Sequence, residues 1–363
     1  MTRLVQRIAL AAGGTGGHLF PAQALAETMI ERGIQPFLIC DQRTKDFING
    51  GLAEINSIKI FAPRPGKSWL NKMVNFFKLI PVVLNLRRCL KQENVQAVVG
   101  FGGYPSFPTM VAALSLGLPT YIHEQNAVMG RVNRLLCSFA KKIFISFDTT
   151  MQIPTGCESK VMITGNLVRK SVAKFAEYQK TVSPNNTLTI LILGGSQGSK
   201  LLTEIVPATI AALDDKLQRR LVIYQQTRPN LLAEAKKAYA KTSCKKVVVE
   251  AFFDNVGELL QQADIVVCRA GASTVTEIAM LQTPSILVPL KIARDNHQYY
   301  NAKFLVDMGG AYMLAEEDFM VSNLSPLLWR MLEDGELRAQ MQNALKSKFQ
   351  CAVATQMLDY ISS

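Results

Sequence analysis

Short, almost wholly apolar runs alternate with longer amphipathic stretches along this 363-residue chain, and glycine-rich turns separate them. RIALAA (7–12) reads as a strand, followed by a glycine loop and a helix from about Pro21 to Arg32, then the strand QPFLIC (35–40). AVVGFGGYPS (97–106) runs from strand into glycine loop, with a helix through about Leu116, and PTYIHEQN (119–126) and KKIFIS (141–146) are further strands. The pattern restarts at LTILILGGSQGSKLL (188–202) and continues through RLVIYQQ (220–226), KVVVEAF (246–252), ADIVVCRAGASTVTEIA (263–279) and PSILVPL (284–290). Continuous apolar strands joined by helices are βαβ units of a parallel sheet covered on both faces. The spacing therefore predicts two Rossmann-like α/β halves in series, joined near 162–170, with the last stretch from Glu336 helical.

At 48% hydrophobic and 19% charged, the composition fits a well-packed globular protein and excludes a disordered one. No apolar run approaches the ~20 residues of a membrane span, and no secretory signal pattern precedes the first strand. Seven scattered cysteines, with no Cys-x-x-Cys and none in ligand spacing with histidine, read as reduced thiols, so a cytosolic setting is expected. The charge is uneven. Residues 1–165 carry 18 Lys+Arg against 9 Asp+Glu, whereas the rest of the chain is close to balanced. The N-terminal half thus expects a negative partner, either nucleic acid or an anionic membrane.

The glycines carry the first chemistry. Without Cβ, backbone turns tightly and approaches a ligand closely, and amides at a helix N-terminus bind anions. Gly13, Gly14, Gly16 and Gly17 in the first half, and Gly194, Gly195 and Gly198 in the second, each lie between a strand and a helix. Neither fits the dinucleotide fingerprint, because the third glycine position counted from Gly14 is Leu19, which disfavours a nicotinamide-dependent oxidoreductase. Two such loops, each in its own half, favour a ligand cleft between domains over mere tight turns. The three histidines, His18, His123 and His297, all fall at strand ends or in loops. Open sheets bind ligands along that carboxyl edge.

GGTGGH (13–18), GFGGYPS (100–106), HEQN (123–126), TGN-x-VR (164–169), GGSQG (194–198), RAGASTVTE (269–277) and DNHQ (295–298) resemble the MurG family in content and order. These are the undecaprenyl-pyrophosphoryl-muramyl-pentapeptide β-N-acetylglucosaminyltransferases of bacterial cell-wall synthesis. The resemblance implies the glycosyltransferase B fold, two Rossmann-like domains separated by a deep cleft, with the C-terminal helix crossing back to the N-terminal domain. It implies an acceptor-binding, membrane-associating domain at 1–165 plus about 346–363, and a UDP-GlcNAc-binding domain at 166–345. The reaction it implies is inverting transfer of GlcNAc from UDP-GlcNAc to the C4 hydroxyl of the muramoyl residue of lipid I, giving lipid II and UDP.

The leaving group of such a donor is a diphosphate whose charge must be stabilised as it develops. No Asp-x-Asp occurs in the chain, so neither a metal nor another cofactor is expected, and backbone amides and a helix dipole are the expected substitutes. The resemblance carries donor binding onto Thr15, Gly16, Gly17, Asn126, Arg169, Ser196, Phe253, Ala272, Ser273, Thr274, Val275, Thr276, Glu277 and Gln298. Among these, Ser196 and Arg169 would meet the pyrophosphate, Glu277 the ribose hydroxyls, the Phe253 backbone the uracil, and Gln298 the sugar hydroxyls. Blander roles stand beside these: a surface ion pair for Arg169, and a capping or dipole partner for Glu277, read on the first turn of its helix. His297 precedes Gln298 where some relatives carry a second glutamine. Single displacement needs a base for the acceptor hydroxyl. His18 is the first candidate, since imidazole titrates near neutrality; His123 and Glu124 are rivals.

Residues 64–91 hold seven Lys+Arg and no acid. Trp69, Met73, Phe76, Phe77, Ile80 and Leu84 fall on one helical face, with Asn71, Asn75 and Lys78 opposite. A basic amphipathic segment with aromatics reads as an interfacial anchor, each basic residue worth about 1 kcal/mol near anionic lipid. Trp69, Lys72, Met73, Phe76, Phe77 and Ile80 are the expected contacts, and Pro81 is expected to divide an exposed first part from a buried second. The alternative is a packing helix with a solvated basic rim. Nucleic acid loses ground, because no RRM, KH or helix-turn-helix signature accompanies the charge. Expected partners are UDP-GlcNAc, lipid I, the anionic cytoplasmic face of the bacterial inner membrane, and other cell-wall synthesis proteins. Two alternatives remain: a UDP-GlcNAc 2-epimerase-like enzyme, and a non-catalytic membrane-binding protein.

Overall fold

The structure, a computed structural model, describes residues 5–42, 55–61, 69–178, 187–195, 198–346 and 352–363, and of residues 69–72, 75 and 76 the backbone alone. The chain divides into two compact units, Met1–Arg169 with Gln350–Ser363, and Lys170–Phe349.

Unit 1 is built on strands β1 (Arg7–Ala12), β2 (Gln35–Asp41), β3 (Ser57–Ile60), β4 (Ala97–Gly100), β5 (Thr120–Glu124), β6 (Lys142–Ile145) and β7 (Val161–Ile163). They form one parallel sheet in the order β3-β2-β1-β4-β5-β6-β7. Alternate residues of β1 feed opposite cores. Ile8, Leu10 and Ala12 pack with helix Gly16–Glu31 and the C-terminal helix Val353–Ser362. Ala9 packs with Leu86, Leu90 and Met110 of helices Trp69–Gln92 and Ser106–Leu114. Burial on both faces explains the uninterrupted apolar runs.

The C-terminal helix buries Val353, Met357, Leu358 and Ile361 in this core. Its Tyr360 meets Tyr121 and Phe144 edge-on, and Asp359 pairs with Arg32 at 2.6 Å. At about 2 kcal/mol for each large apolar side chain buried, this helix is integral to unit 1. The single terminal helix read from the sequence is instead two, Gly335–Leu345 in unit 2 and Val353–Ser362 in unit 1.

Unit 2 repeats the plan with β8 (Leu188–Leu193), β9 (Leu221–Gln226), β10 (Lys246–Glu250), β11 (Ile265–Cys268), β12 (Ser285–Leu287) and β13 (Ala311–Met313), in the parallel order β10-β9-β8-β11-β12-β13. In each unit the chain steps outward from the first strand in one direction and then returns to its other side, so the order reverses between β1 and β4 and between β8 and β11. The turns beyond those four strands flank the crevice where open α/β sheets receive ligands.

Candidate active site

In unit 1 the turns after β1 and β4 meet backbone to backbone. Gly103 holds φ +78°, and a Cβ placed on it would lie 2.8 Å from Gly13 Cα, so only glycine fits both the conformation and the approach. The Ser106 hydroxyl, 2.6 Å from Ala11 O and 2.8 Å from Gly102 O, ties the two turns together. Phe101 N donates to Ala11 O at 2.8 Å.

Helix Gly16–Glu31 begins five residues before the expected Pro21, which lies inside it, so Gly16, Gly17 and His18 form its first turn. Thr15 is the N-cap, with extended backbone (φ −128°, ψ 154°), and its carbonyl accepts from His18 N and Leu19 N. Its side chain does not cap the helix; Thr15 Oγ1 instead lies 2.9 Å from His18 Nδ1. The imidazole rests against three glycines. A Cβ on Gly13, Gly102 or Gly103 would approach the ring to 3.0, 3.5 or 3.7 Å. In the tautomer whose Nδ1 donates to Thr15 Oγ1, Nε2 carries the lone pair that proton abstraction needs. The helix N-terminus beside it offers its amides to an anion.

The two rivals are placed differently. Glu124 is buried at the end of β5, and its carboxylate accepts from Asn126 N (3.0 Å), Asn126 Nδ2 (3.2 Å), Gly130 N (2.8 Å) and Asn133 Nδ2 (2.7 Å). Burial raises its pKa from the ordinary carboxylate value, and these donors oppose the rise. The group is thus committed to holding the loop after β5, and part of Asn126 with it. His123 is 0% exposed, with no hydrogen bond of normal geometry at either ring nitrogen and the Phe101 ring 5.6 Å away. Burial pushes its imidazole down to about 4, with the nearby Gly165 backbone acting in the other direction. His123 is therefore a neutral interior residue near pH 7. Asn133, which the sequence reading did not single out, bonds Glu124 and sits 3.4 Å from where a Cβ on Gly102 would lie. Arg169, the last residue of this unit's first segment, stacks its guanidinium 3.9 Å over the Phe20 ring of the Gly16–Glu31 helix.

In unit 2 the corresponding turns follow β8 and β11. Gly198 (φ +64°) leaves no room for a side chain, since a Cβ would meet Arg228 Cγ at 2.7 Å and Arg228 N at 3.0 Å. Ser199 caps helix Lys200–Ala211 through Leu202 N. Ser196 lies outside the described residues.

After β11, helix Ala272–Met280 starts at the Gly271 N-cap. Glu277 therefore sits in the second turn rather than the first, and it is buried with Val275 and Thr276. Val275 N and Thr276 Oγ1 bond back to Gly271 O and Ala272 O within the helix. Ser273 Oγ, in the first turn, is buried without a hydrogen-bond partner, and Thr274 is half-buried beside it. A buried hydroxyl lacking a partner at a helix N-terminus is a place for a ligand acceptor.

Gln298 opens helix His297–Asp307 and fixes its Oε1 on Leu290 N at 2.9 Å, which leaves the amide nitrogen to donate elsewhere. Half-buried His297 bonds Arg294 O through Nδ1 at 2.8 Å. Phe253 is buried edge-on to Tyr224 at 6.2 Å. No group of three or more His, Cys, Asp or Glu among the described residues is placed to hold a metal ion.

A further surface lies on helix Trp69–Gln92 of unit 1, which runs unbroken through Pro81. Met73, Phe77, Ile80 and Leu84 are exposed at i, i+4, i+7 and i+11, forming one apolar stripe, with Lys78 and Arg88 also exposed. Leu86 and Leu90, beyond Pro81, are buried in the core. The side chains of Trp69, Lys72 and Phe76 lie outside the described residues. No helix among the described residues is long and apolar enough to cross a membrane.

Two Rossmann-like units, each with a glycine turn at its sheet's reversal point, make up the glycosyltransferase B fold. Residues 8–145 match the glycosyltransferase family 28 N-terminal domain and residues 189–357 its C-terminal domain. The chain belongs to glycosyltransferase family 28. It is 39% identical over 340 residues to the UDP-N-acetylglucosamine--N-acetylmuramyl-(pentapeptide) pyrophosphoryl-undecaprenol N-acetylglucosamine transferase of Phenylobacterium zucineum (strain HLK1), covering 93% of each chain. Among solved structures, the crystal structure of Acinetobacter baumannii MurG is similar, with TM-score 0.78 and 30% identity over 98% of this chain and 99% of that one. A UDP-N-acetylglucosamine 2-epimerase shares the fold alone, with TM-score 0.64 and 10% identity over 97% and 94%.

Proposed function

We propose that this protein transfers GlcNAc from UDP-GlcNAc to the C4 hydroxyl of the muramoyl residue of lipid I, with inversion, releasing UDP and forming lipid II. The observation that carries the reading is the Thr15–His18 pair in its glycine cradle at the β1/β4 reversal point, on a chain closely related to enzymes named for this transfer. Unit 1 takes the acceptor, and unit 2 supplies most of the donor contacts. His18 Nε2 removes the acceptor proton as the new bond forms, and Thr15 holds the ring's tautomer and orientation through Nδ1. In unit 2, Gly194, Gly195 and Gly198 and the start of helix Ala272–Met280 stabilise the departing diphosphate with amide dipoles and the Ser273 hydroxyl. Arg169 adds positive charge to the pyrophosphate, Glu277 holds the ribose, the Phe253 backbone meets the uracil, and Gln298 donates to the sugar.

The exposed stripe Met73–Phe77–Ile80–Leu84, with its basic neighbours, docks unit 1 peripherally on the anionic cytoplasmic face of the inner membrane, where a polyprenyl acceptor resides. The test is UDP release from UDP-GlcNAc with and without a lipid I analogue in anionic vesicles. Acceptor-dependent release is expected. Release, or an epimerised sugar, in the absence of acceptor contradicts the proposal.

A further inference from the structure

The carboxyl edge of the unit 2 sheet carries an ion pair that the roles above leave unused. Arg269, just after β11, and Glu316, just after β13, meet at 2.6 Å, with side chains only 11% and 22% exposed. Arg269 Nη1 also donates to Val288 O, just beyond β12, at 3.1 Å. The other carboxylate oxygen of Glu316 accepts from Lys291 N at 3.0 Å. Arg269 Cβ lies 3.9 Å from where a Cβ on Gly195, in the turn after β8, would be. One pair therefore ties together the turns beyond three adjacent strands and lies beside the turn of a fourth. Exposed pairs in the same unit, such as Lys200–Glu204 and Lys303–Asp307, each join residues of a single helix.

The turn it grips is unusual. Asp295 (φ 50°) and Asn296 (φ 53°) are consecutive non-glycine residues in the left-handed region, immediately before His297 and Gln298. Such conformations persist where the surroundings over-determine them. Here the turn is held at Val288 O by Arg269, at Lys291 N by Glu316, and at Leu290 N by Gln298 itself. A largely buried pair adds little net stability over apolar packing; its best-attested use is to fix one arrangement, and removing one partner leaves an uncompensated charge.

We infer that Arg269 and Glu316 are positioning residues: the pair holds the 289–298 turn in its left-handed form and so presents the Gln298 amide to the sugar of the donor. The inference rests on the donor role proposed for unit 2, and it predicts an effect on the sugar rather than on the nucleotide.

The test uses the full chain with Glu316→Ala and the conservative Arg269→Lys. In Glu316→Ala, amide exchange across 289–298 is expected to accelerate about tenfold while unit 1 is unchanged. KM for UDP-GlcNAc is expected to rise about tenfold, with Kd for UDP, which lacks the sugar, within about twofold of wild type. Arg269→Lys keeps the charge but loses the second donor, and is expected to fall between wild type and Glu316→Ala. Unchanged exchange in the turn overturns the inference. Equal loss of UDP and UDP-GlcNAc affinity also overturns it, as does faster exchange with an unchanged KM. If the wild type neither binds UDP nor transfers sugar, the functional reading fails, and the exchange result still decides whether the pair holds the turn.

Discussion

Burial of His123 without a hydrogen-bond partner makes a quantitative prediction about unit 1. In the unfolded chain its imidazole titrates near 6.5, and in the folded protein near about 4. Between those values the unfolded state binds a proton that the folded state refuses, so stability falls as pH is lowered through this window. Above 6.5 both states are neutral and the group contributes no pH dependence. At 1.36 kcal/mol per pH unit of displacement, the full loss approaches about 3 kcal/mol, with about 2 kcal/mol already gone at pH 5. Methionine at this position fills a similar volume without a titratable group. His123→Met removes two buried nitrogens that lack partners, so at pH 7.5 it is expected to match wild type within about 1 kcal/mol. By pH 5 it should be about 2 kcal/mol more stable than wild type. Urea unfolding read by hydrogen exchange of unit 1 peptides separates this unit from the other. A stability difference between variant and wild type that stays flat from pH 7.5 to 5 would mean that His123 does not titrate with this displacement.

Three further outcomes are expected. Gly103→Ala places a Cβ 2.8 Å from Gly13 Cα at φ +78°, whereas Gly117→Ala adds one in open space at φ +71°. The first should destabilise unit 1 by about 3 kcal/mol or more and the second by about 1 kcal/mol, measured as urea midpoints. Thr15→Val keeps the helix cap position but removes the partner of His18 Nδ1. Its transfer rate should fall about tenfold to a hundredfold with the urea midpoint of unit 1 in place, and an unchanged rate would deny Thr15 its orienting role. Phe77→Asp with Ile80→Asp should cut co-sedimentation with anionic vesicles at least about tenfold while leaving the unfolding midpoint in place. Undiminished sedimentation would remove the stripe from the membrane account.

The parallel strands were legible because burial on both faces writes them as unbroken apolar runs, as in RIALAA and LTILIL. SIKI of β3, only partly buried, and AYM of β13, three residues long, leave no such signature. Gly16 and Gly17 read as loop by propensity, and Pro21 as a helix start. The cradle around His18 and the Thr15 cap override both, so the histidine belongs to a helix rather than to a turn.

The glycine turns were legible because a close backbone approach, as of Gly103 to Gly13 or Gly198 to Arg228, leaves a local residue pattern. The partners of Glu124 did not, because Gly130 and Asn133 converge on it only once β5 and the helix Arg131–Leu136 have packed. His123 follows β5's alternation onto a covered face, which local reading of a strand-end histidine overlooks. Arg269 and Glu316 meet across 47 residues of chain and carry no local mark at all.

The role proposed for His18, held by Thr15, is on the acceptor side of a sugar transfer. It is tested most directly by following labelled GlcNAc from UDP-GlcNAc into a lipid I analogue, for wild type and His18→Gln, with UDP affinity measured in parallel. The wild type is expected to show acceptor-dependent transfer, and the variant to fold and bind UDP as tightly yet transfer at least about a hundredfold more slowly. Wild-type transfer matched by His18→Gln would contradict it.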